Sequence, residues 1–310
     1  MRIGIIARRA CLAGVMLLAG AWAAQGAVFR LATYNVENYL DAPGLGRQPK
    51  AEESKAKVRE MIRALNADVI ALQEMGRPSA LEELRRSLRS EGVEYGYWEH
   101  VTGFDTNVHV AVLSKFPIVA RRSHTNENFL LGGRRFRVSR GFAEVDIAVG
   151  TNYTFTLLTA HLKSKRVIPE ADEAEMRLAE ARLLREKVDA LLSADPERNV
   201  VVLGDLNDTK DSASTRAVIG RGRLRLVDTR PAERNGDNVP SSNPAWDPRN
   251  VTWTHYYGKE DSYSRIDYIL LSPGMAPEWV TNETYVLAAP NWGVASDHRP
   301  LVATFRTDSE

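Results

Sequence analysis

Five consecutive residues, Ser296-Asp297-His298-Arg299-Pro300, set a carboxylate beside an imidazole just before a final apolar run, Leu301 to Phe305. The same design recurs upstream. Asn35 lies at the end of LATYN, Glu74 ends VIALQE, His161 ends FTLLTAH, Asp205 and Asn207 follow VVVLG, and Asp267 sits in RIDYILLS. A β-run that closes on such a residue delivers it to one edge of a sheet, where ligands can gather. Six apolar runs, each carrying an amide, imidazole or carboxylate, point to a shared acid–base or hard-metal site and are hard to explain as packing. Asp205 and Asn207, at a spacing of two, would point the same way if strand geometry persisted. Gly204 before them permits a close backbone approach.

The elements that must position these residues are legible as periodicity. Strand-like runs cover Val28 to Val36, Val69 to Gln73, Val108 to Ser114, Phe142 to Val149, Tyr153 to His161, Val200 to Leu203, Val251 to His255, Arg265 to Leu271 and Leu301 to Phe305. Helical spacing shows over Ser54 to Leu65, Ala80 to Leu88 and Ala171 to Leu192. In the last, Leu178, Ala181, Leu184, Val188 and Leu191 make one apolar stripe, and the Glu and Arg residues between them read as a solvated face. Helices interspersed among many strands predict a layered α/β architecture. The turn-rich tract Pro231 to Arg249 reads as a surface loop, and no linker interrupts the motifs, so residues 28–310 are expected to form one domain.

The first 27 residues read differently. Arg2, Arg8 and Arg9 precede an apolar run from Ala10 to Ala24, followed by small residues, which is the layout of a secretory signal peptide. The run is shorter than the ~20 residues of a membrane span. Export to the periplasm or the medium is therefore expected, with no stable membrane span after processing. Cys11, the one cysteine of the chain, would leave with the leader, and the exported protein would have no disulfide. The 310-residue chain has 41 basic and 40 acidic side chains; three basic ones lie in the leader, so the processed chain carries 38 against 40, a formal charge near −2. Bulk charge then gives little non-specific affinity for polyanions, and nucleic-acid binding would need a local patch. The segment Gly132 to Gly141, with Arg134, Arg135, Arg137 and Arg140, is the candidate patch; its alternative reading is a solvated edge strand.

The ordered set NVEN, LQE, AHLKSK, GDLND, SRIDYIL and SDHRP resembles the endonuclease/exonuclease/phosphatase superfamily over roughly Phe29 to Phe305. The likeness implies a four-layer α/β sandwich: two packed, mostly antiparallel sheets flanked by helices, with the site at one edge. It implies a divalent-metal-dependent phosphoester hydrolase. On this reading Glu74, Asn35, Glu37 and Asp297 are the metal-side residues; the ion is Mg2+, with Mn2+ or Ca2+ as alternatives. Asp205 aligns or deprotonates the attacking water, Asn207 contacts phosphate, Asp267 pairs with His298, and His161 protonates or polarises the leaving oxygen. Asn35, Lys163 and Arg140 are the phosphate-binding candidates, with Arg140 directed inward. HLKSK resembles secreted bacterial nucleases of the superfamily in particular.

Three functions remain open on the sequence. The first is an exported nuclease, favoured by HLKSK, the arginine segment and the leader. The second is a phosphodiesterase or phosphatase for phospholipid head groups or small phosphate esters, favoured by the lack of bulk positive charge. The third is a non-catalytic phosphoester-binding module. A monomer is expected.

Overall fold

A computed structural model describes residues 26–44, 46–233 and 252–307. In chain order the described strands and helices begin with β1 (Val28–Tyr39), α1 (Glu52–Leu65), β2 (Val69–Met75), α2 (Pro78–Ser90), β3 (Tyr97–Val101) and β4 (His109–Ser114). They continue with β5 (Ile118–Arg121), β6 (Asn128–Leu131), β7 (Arg134–Arg137), β8 (Phe142–Val149), β9 (Tyr153–His161), α3 (Glu173–Ala194), β10 (Val200–Asp205) and α4 (Ala213–Ile219). The last are β11 (Val227–Asp228), β12 (Ala232–Glu233), β13 (His255–Tyr257), β14 (Ser262–Ser264), β15 (Asp267–Leu271), β16 (Trp279–Val286) and β17 (Leu301–Arg306).

A seven-stranded sheet runs β12-β16-β17-β1-β2-β4-β3, and a six-stranded sheet runs β11-β15-β10-β9-β8-β5. Both are mixed. The β1/β2, β9/β10 and β12/β16 pairs are parallel, and the other described pairs are antiparallel. Strand alternation builds the layers. Phe29 and Leu31 of β1, Val69 and Ala71 of β2, Leu157 of β9, and Val201 and Leu203 of β10 face one another in the core between the sheets. The intervening residues face outward onto helices. Ala32, Tyr34, Ile70 and Leu72 meet α1 and α2 through Met61, Ile62, Leu81 and Leu84; Leu158, Val200 and Val202 meet α3 through Leu184, Val188 and Leu192. Strands buried on both faces read as the continuous apolar runs seen in the sequence. The result is the helix–sheet–sheet–helix sandwich that the resemblance implies.

Register brings the chemistry to one edge. Parallel pairing sets Asp205 opposite His161 at the ends of β10 and β9, and antiparallel pairing sets Asp205 opposite Asp267 at the start of β15. In the other sheet Asn35 pairs with Gln73, next to Glu74. Thr33, Gln73 and Thr159 link the two sheets at this end: the Thr33 hydroxyl donates to the Gln73 carbonyl at 3.1 Å, and the Gln73 amide donates to Thr159 at 3.2 Å.

Several expectations are corrected. The strand expected over Val251 to His255 is instead His255–Tyr257, hairpinned to β14, while Thr252 to Thr254 form no strand; residue 251 lies outside the described residues. The charges on α3 are not all solvated. Arg177, Glu180 and Arg185 are buried, because α3 is covered by α4 and by the segment after His161. Residues 1–25 of the expected leader, and the expected surface loop from residue 234 to 249, lie outside the described residues. Among the described residues no helix is long and apolar enough to cross a membrane.

Candidate active site

Asp205 lies at the centre. Its Oδ2 accepts from the Asn35 amide at 3.0 Å and lies 3.4 Å from His161 Nε2 and 3.7 Å from His298 Nε2. Its Oδ1 accepts from the Asn207 backbone N–H at 2.8 Å. β10 can bring Asp205 this close to β9 because residue 204 is glycine. Its φ is +141°, and a Cβ there would collide with the Ala160 carbonyl oxygen.

His298 is held from its far side. Its Nδ1 lies 2.8 Å from Asp267 Oδ2, which also accepts from the Thr254 hydroxyl at 2.6 Å. Thr254 in turn accepts from the Ile266 and Asp267 backbone N–H groups at 3.1 and 3.2 Å. A carboxylate on one ring nitrogen fixes the tautomer and leaves the other, here Nε2, facing the site. Ser296 sets the approach of this segment, donating to the Asn35 carbonyl at 2.8 Å and accepting from the His298 backbone N–H at 3.0 Å. The ends of β1, β10, β15 and the last loop are thus tied into one polar cluster, and Asn35, His161, Asp205, Asp267 and His298 are all buried.

Burial and charge sort the protonation states. Burial, then Asp267, raises Asp205 above the usual carboxylate range, against the lowering effect of His298 and its hydrogen bonds. Burial alone would lower His298, but Asp267 and Asp205 outweigh it and hold the imidazole well above its ordinary value. His161 shifts the other way. Its burial, with Arg140, His298 and Arg47 nearby, keeps it neutral well below its ordinary range. Two histidines beside one carboxylate are therefore set to opposite states.

The metal-side candidates form a second group. Glu74 Oε2 accepts from the Asn38 backbone N–H at 3.1 Å and from Arg47 at 3.3 Å; Glu37 pairs with Lys50 at 3.1 Å. Glu37, Asn38 and Glu74 all have positive φ, where the β1/β2 register shifts between Asn35 and Tyr39. A bulge of this kind re-aims side chains, at a backbone cost that functional sites commonly bear. Burial, then the charge of Asp297, raises Glu37, with Glu74 adding to the effect. Burial would likewise raise Asp297, but His255 and His298 hold it below its ordinary range. Carboxylate oxygens suit a hard divalent cation, and at Asp297 the ligand atoms of Asp297, His255 and His298 lie within 4.8 Å of one another.

Other expectations are corrected or refined. Strand geometry stops at Asp205: Asn207 has φ 55°, and its amide donates to the Leu162 carbonyl at 3.0 Å, so it does not point alongside Asp205. The Lys163 ammonium donates to the carbonyls of Ser164 and Arg166 at 2.9 and 2.7 Å, so the loop's own backbone takes up the donors expected to meet phosphate. Arg140 does turn inward, donating to the Leu162 carbonyl at 3.4 Å with Asp105 3.8 Å away. Asp208 turns away to Arg177 at 3.0 Å. Asp297 stands half-exposed, its Oδ1 3.9 Å from His298 Nε2 and its Oδ2 3.6 Å from His255 Nε2.

Sequence reasoning missed Thr254, Ser296, His255 and Glu180. Glu180 is fully buried on α3 and accepts from the Lys163 and Ser139 backbone N–H groups at 2.6 and 3.2 Å, clamping the segment after His161. Helical periodicity gave it no distinction from a surface acid. Ser296 belongs to the SDHRP motif and Thr254 to the Val251 to His255 run, but neither was given a role; a hydroxyl two residues before His298 is the signal that could have found Ser296.

A two-sheet sandwich with buried Asp–His pairs at one edge, where Asp205, Asp267 and His298 likewise bring three possible ligand atoms within 4.8 Å, fits a metal-dependent hydrolase of phosphoester bonds. A sequence model of the Endonuclease/Exonuclease/phosphatase family matches residues 32–298, and the chain belongs to that family. No curated protein matches it in sequence at a significant level. Solved structures share the fold at low identity. Truncated TDP2 from Caenorhabditis elegans is 14% identical, with 92% of this chain and 99% of that one covered at a TM-score of 0.59. The human Nocturnin catalytic domain with bound sulfate is 16% identical, covering 90% and 95% at 0.59. Sphingomyelinase C from Streptomyces griseocarneus is 19% identical, covering 90% and 99% at 0.59.

Proposed function

We propose that the protein is an exported phosphodiesterase that cuts nucleic-acid backbones by in-line attack of water on phosphorus. The observation that carries the chemistry is the shared contact of Asn35, His161 and His298 with Asp205 Oδ2. Asp205, with its raised affinity for a proton, takes one from the attacking water, which Asn35 helps to align. The protonated His298, braced by Asp267, donates to a phosphoryl oxygen as charge builds there. As the new P–O bond forms and the old one breaks, neutral His161 polarises the leaving oxygen, and solvent completes its protonation. Asn207, turned onto Leu162, supports the loop. Glu74, Glu37 and Asp297, with the side-chain Oδ1 of Asn35, would hold a divalent ion such as Mg2+, which when bound offsets charge on non-bridging oxygens.

The polymer reading is supported by the arginines of β7, which lead into buried Arg140 beside His161. Sphingomyelinase C shares the fold, and one observation favours a lipid head group instead: exposed Tyr257 and Tyr263 sit on the β13–β14 hairpin, which contacts His298 through His255. Purified protein should be assayed with Mg2+ on plasmid DNA, RNA, sphingomyelin vesicles and a small chromogenic diester. Cleavage of a nucleic acid at the highest kcat/KM supports the proposal; preference for the lipid overturns it. Export rests on the leader-like sequence, and would fail if the protein were recovered only from the cytoplasm with an N-terminus within residues 1–20.

A further inference from the structure

The wall beyond Arg140 carries an aromatic side chain and two guanidinium groups that the proposed chemistry does not use. Phe104, in the loop between β3 and β4, is 64% exposed. The loop is not loosely placed. Phe104 and Asp105 donate their backbone N–H groups to the carbonyls of Val138 and Ser139 at 3.5 and 2.6 Å. The contact is close enough that a Cβ on Gly103 would collide with the Ser139–Arg140 backbone. Phe104 is therefore pinned to the segment that enters the site at Arg140.

The β6–β7 hairpin leads into the same segment. Alternation divides its faces: Phe129 and Phe136 stack against each other on the side that packs toward α3, and Arg135 and Arg137 share the opposite side. Arg137 lies over the Phe104 ring, 5.6 Å from its centroid, and Arg135 is held by Asn128. Leu130, on the same side, is 66% exposed. An exposed ring flanked by guanidinium groups offers a π-face to a base and positive charge to its phosphates. A base inside a duplex has no free face, so the matching ligand is unpaired.

We propose that Phe104, Arg137 and Arg135 form a subsite that stacks an unpaired base and holds the phosphates of single-stranded nucleic acid, on the Arg140 side of the catalytic cluster. This rests on the nuclease reading. Leu130 then contacts the sugar or base edge of the bound strand.

The test uses the full protein with Mg2+ on single-stranded oligonucleotides, the matching duplex and a small chromogenic phosphodiester. Phe104→Ala should lower kcat/KM on the single strand by about 10-fold or more, and Phe104→Trp should retain it. Both should leave the small diester unchanged. Arg135→Ala with Arg137→Ala should flatten the log–log salt dependence of single-strand binding by about 1.4, two contacts' worth. Single-strand cleavage by Phe104→Ala at the wild-type rate would overturn the subsite alone, as would equal loss on the small diester or a wild-type preference for the duplex. Wild-type turnover of the diester without cleavage of any nucleic acid would overturn the nuclease reading and the subsite with it.

Discussion

Asp205 and its two histidines show how identical side chains acquire different states from their surroundings. His298 has carboxylates on both sides and stays protonated; His161 is buried, with Arg140, His298 and Arg47 near it, and stays neutral. Asp267→Asn keeps the shape but removes the charge that fixes His298. The His298 titration midpoint, followed by NMR in metal-free protein, should move down, and kcat should fall by about 10²-fold or more; an unchanged midpoint would refute the pairing. His161 makes a separate prediction about stability. Its folded pKa lies below the ordinary 6.5, so the unfolded chain takes up the proton first. Its contribution is undiminished above that value and is lost as pH falls below it, with a slope of up to about 1.4 kcal/mol per pH unit. Asp205, with its raised affinity for a proton, contributes the opposite slope in the same window, so the test is a difference between two proteins. From about pH 8 to 5, denaturant midpoints of metal-free His161→Asn should lose less stability, or gain more, than those of wild type, and parallel curves for the two would contradict the assignment.

At the scale of elements, parallel β9 and β10 and antiparallel β15 align three polar termini, and Gly204 allows the central approach. Gly204→Ala should destabilise the fold by about 3 kcal/mol, through overpacking against Ala160 and an unfavourable φ; a shift of the urea midpoint measures it, and a neutral result would mean the strands can separate without loss. Long strands such as β1, β2, β9, β10 and β17 were legible because both of their faces are buried, so their sequences are unbroken apolar runs. Others were not. β3 and β7 are largely exposed and carry charges, β16 has a register shift between Val280 and Tyr285 that breaks its alternation, and α4 has only seven residues. On α3 the stripe was legible, but the burial of Arg177, Glu180 and Arg185 depends on partners distant in sequence, which periodicity cannot supply.

For the whole molecule, the sandwich gathers residues from Asn35 to His298 at one sheet edge, with the helices on the outer faces. The cluster was legible because His161 and Asp205 end strands, Asp267 begins one, and Asn35 and His298 lie at the edge of an apolar run. Side-chain directions in the following turns were not, since Asn207 and Lys163 are turned by local backbone bonds. The central claim is that this cluster, with a divalent ion, hydrolyses phosphoesters. The most direct measurement is the initial rate on a small chromogenic phosphodiester for wild type with Mg2+, wild type in excess chelator, and His298→Ala with Mg2+. The account predicts turnover in the first, near-background release in the second, and a loss of at least about 10²-fold in the third. Full activity in chelator, or a His298→Ala variant as fast as wild type, would contradict it.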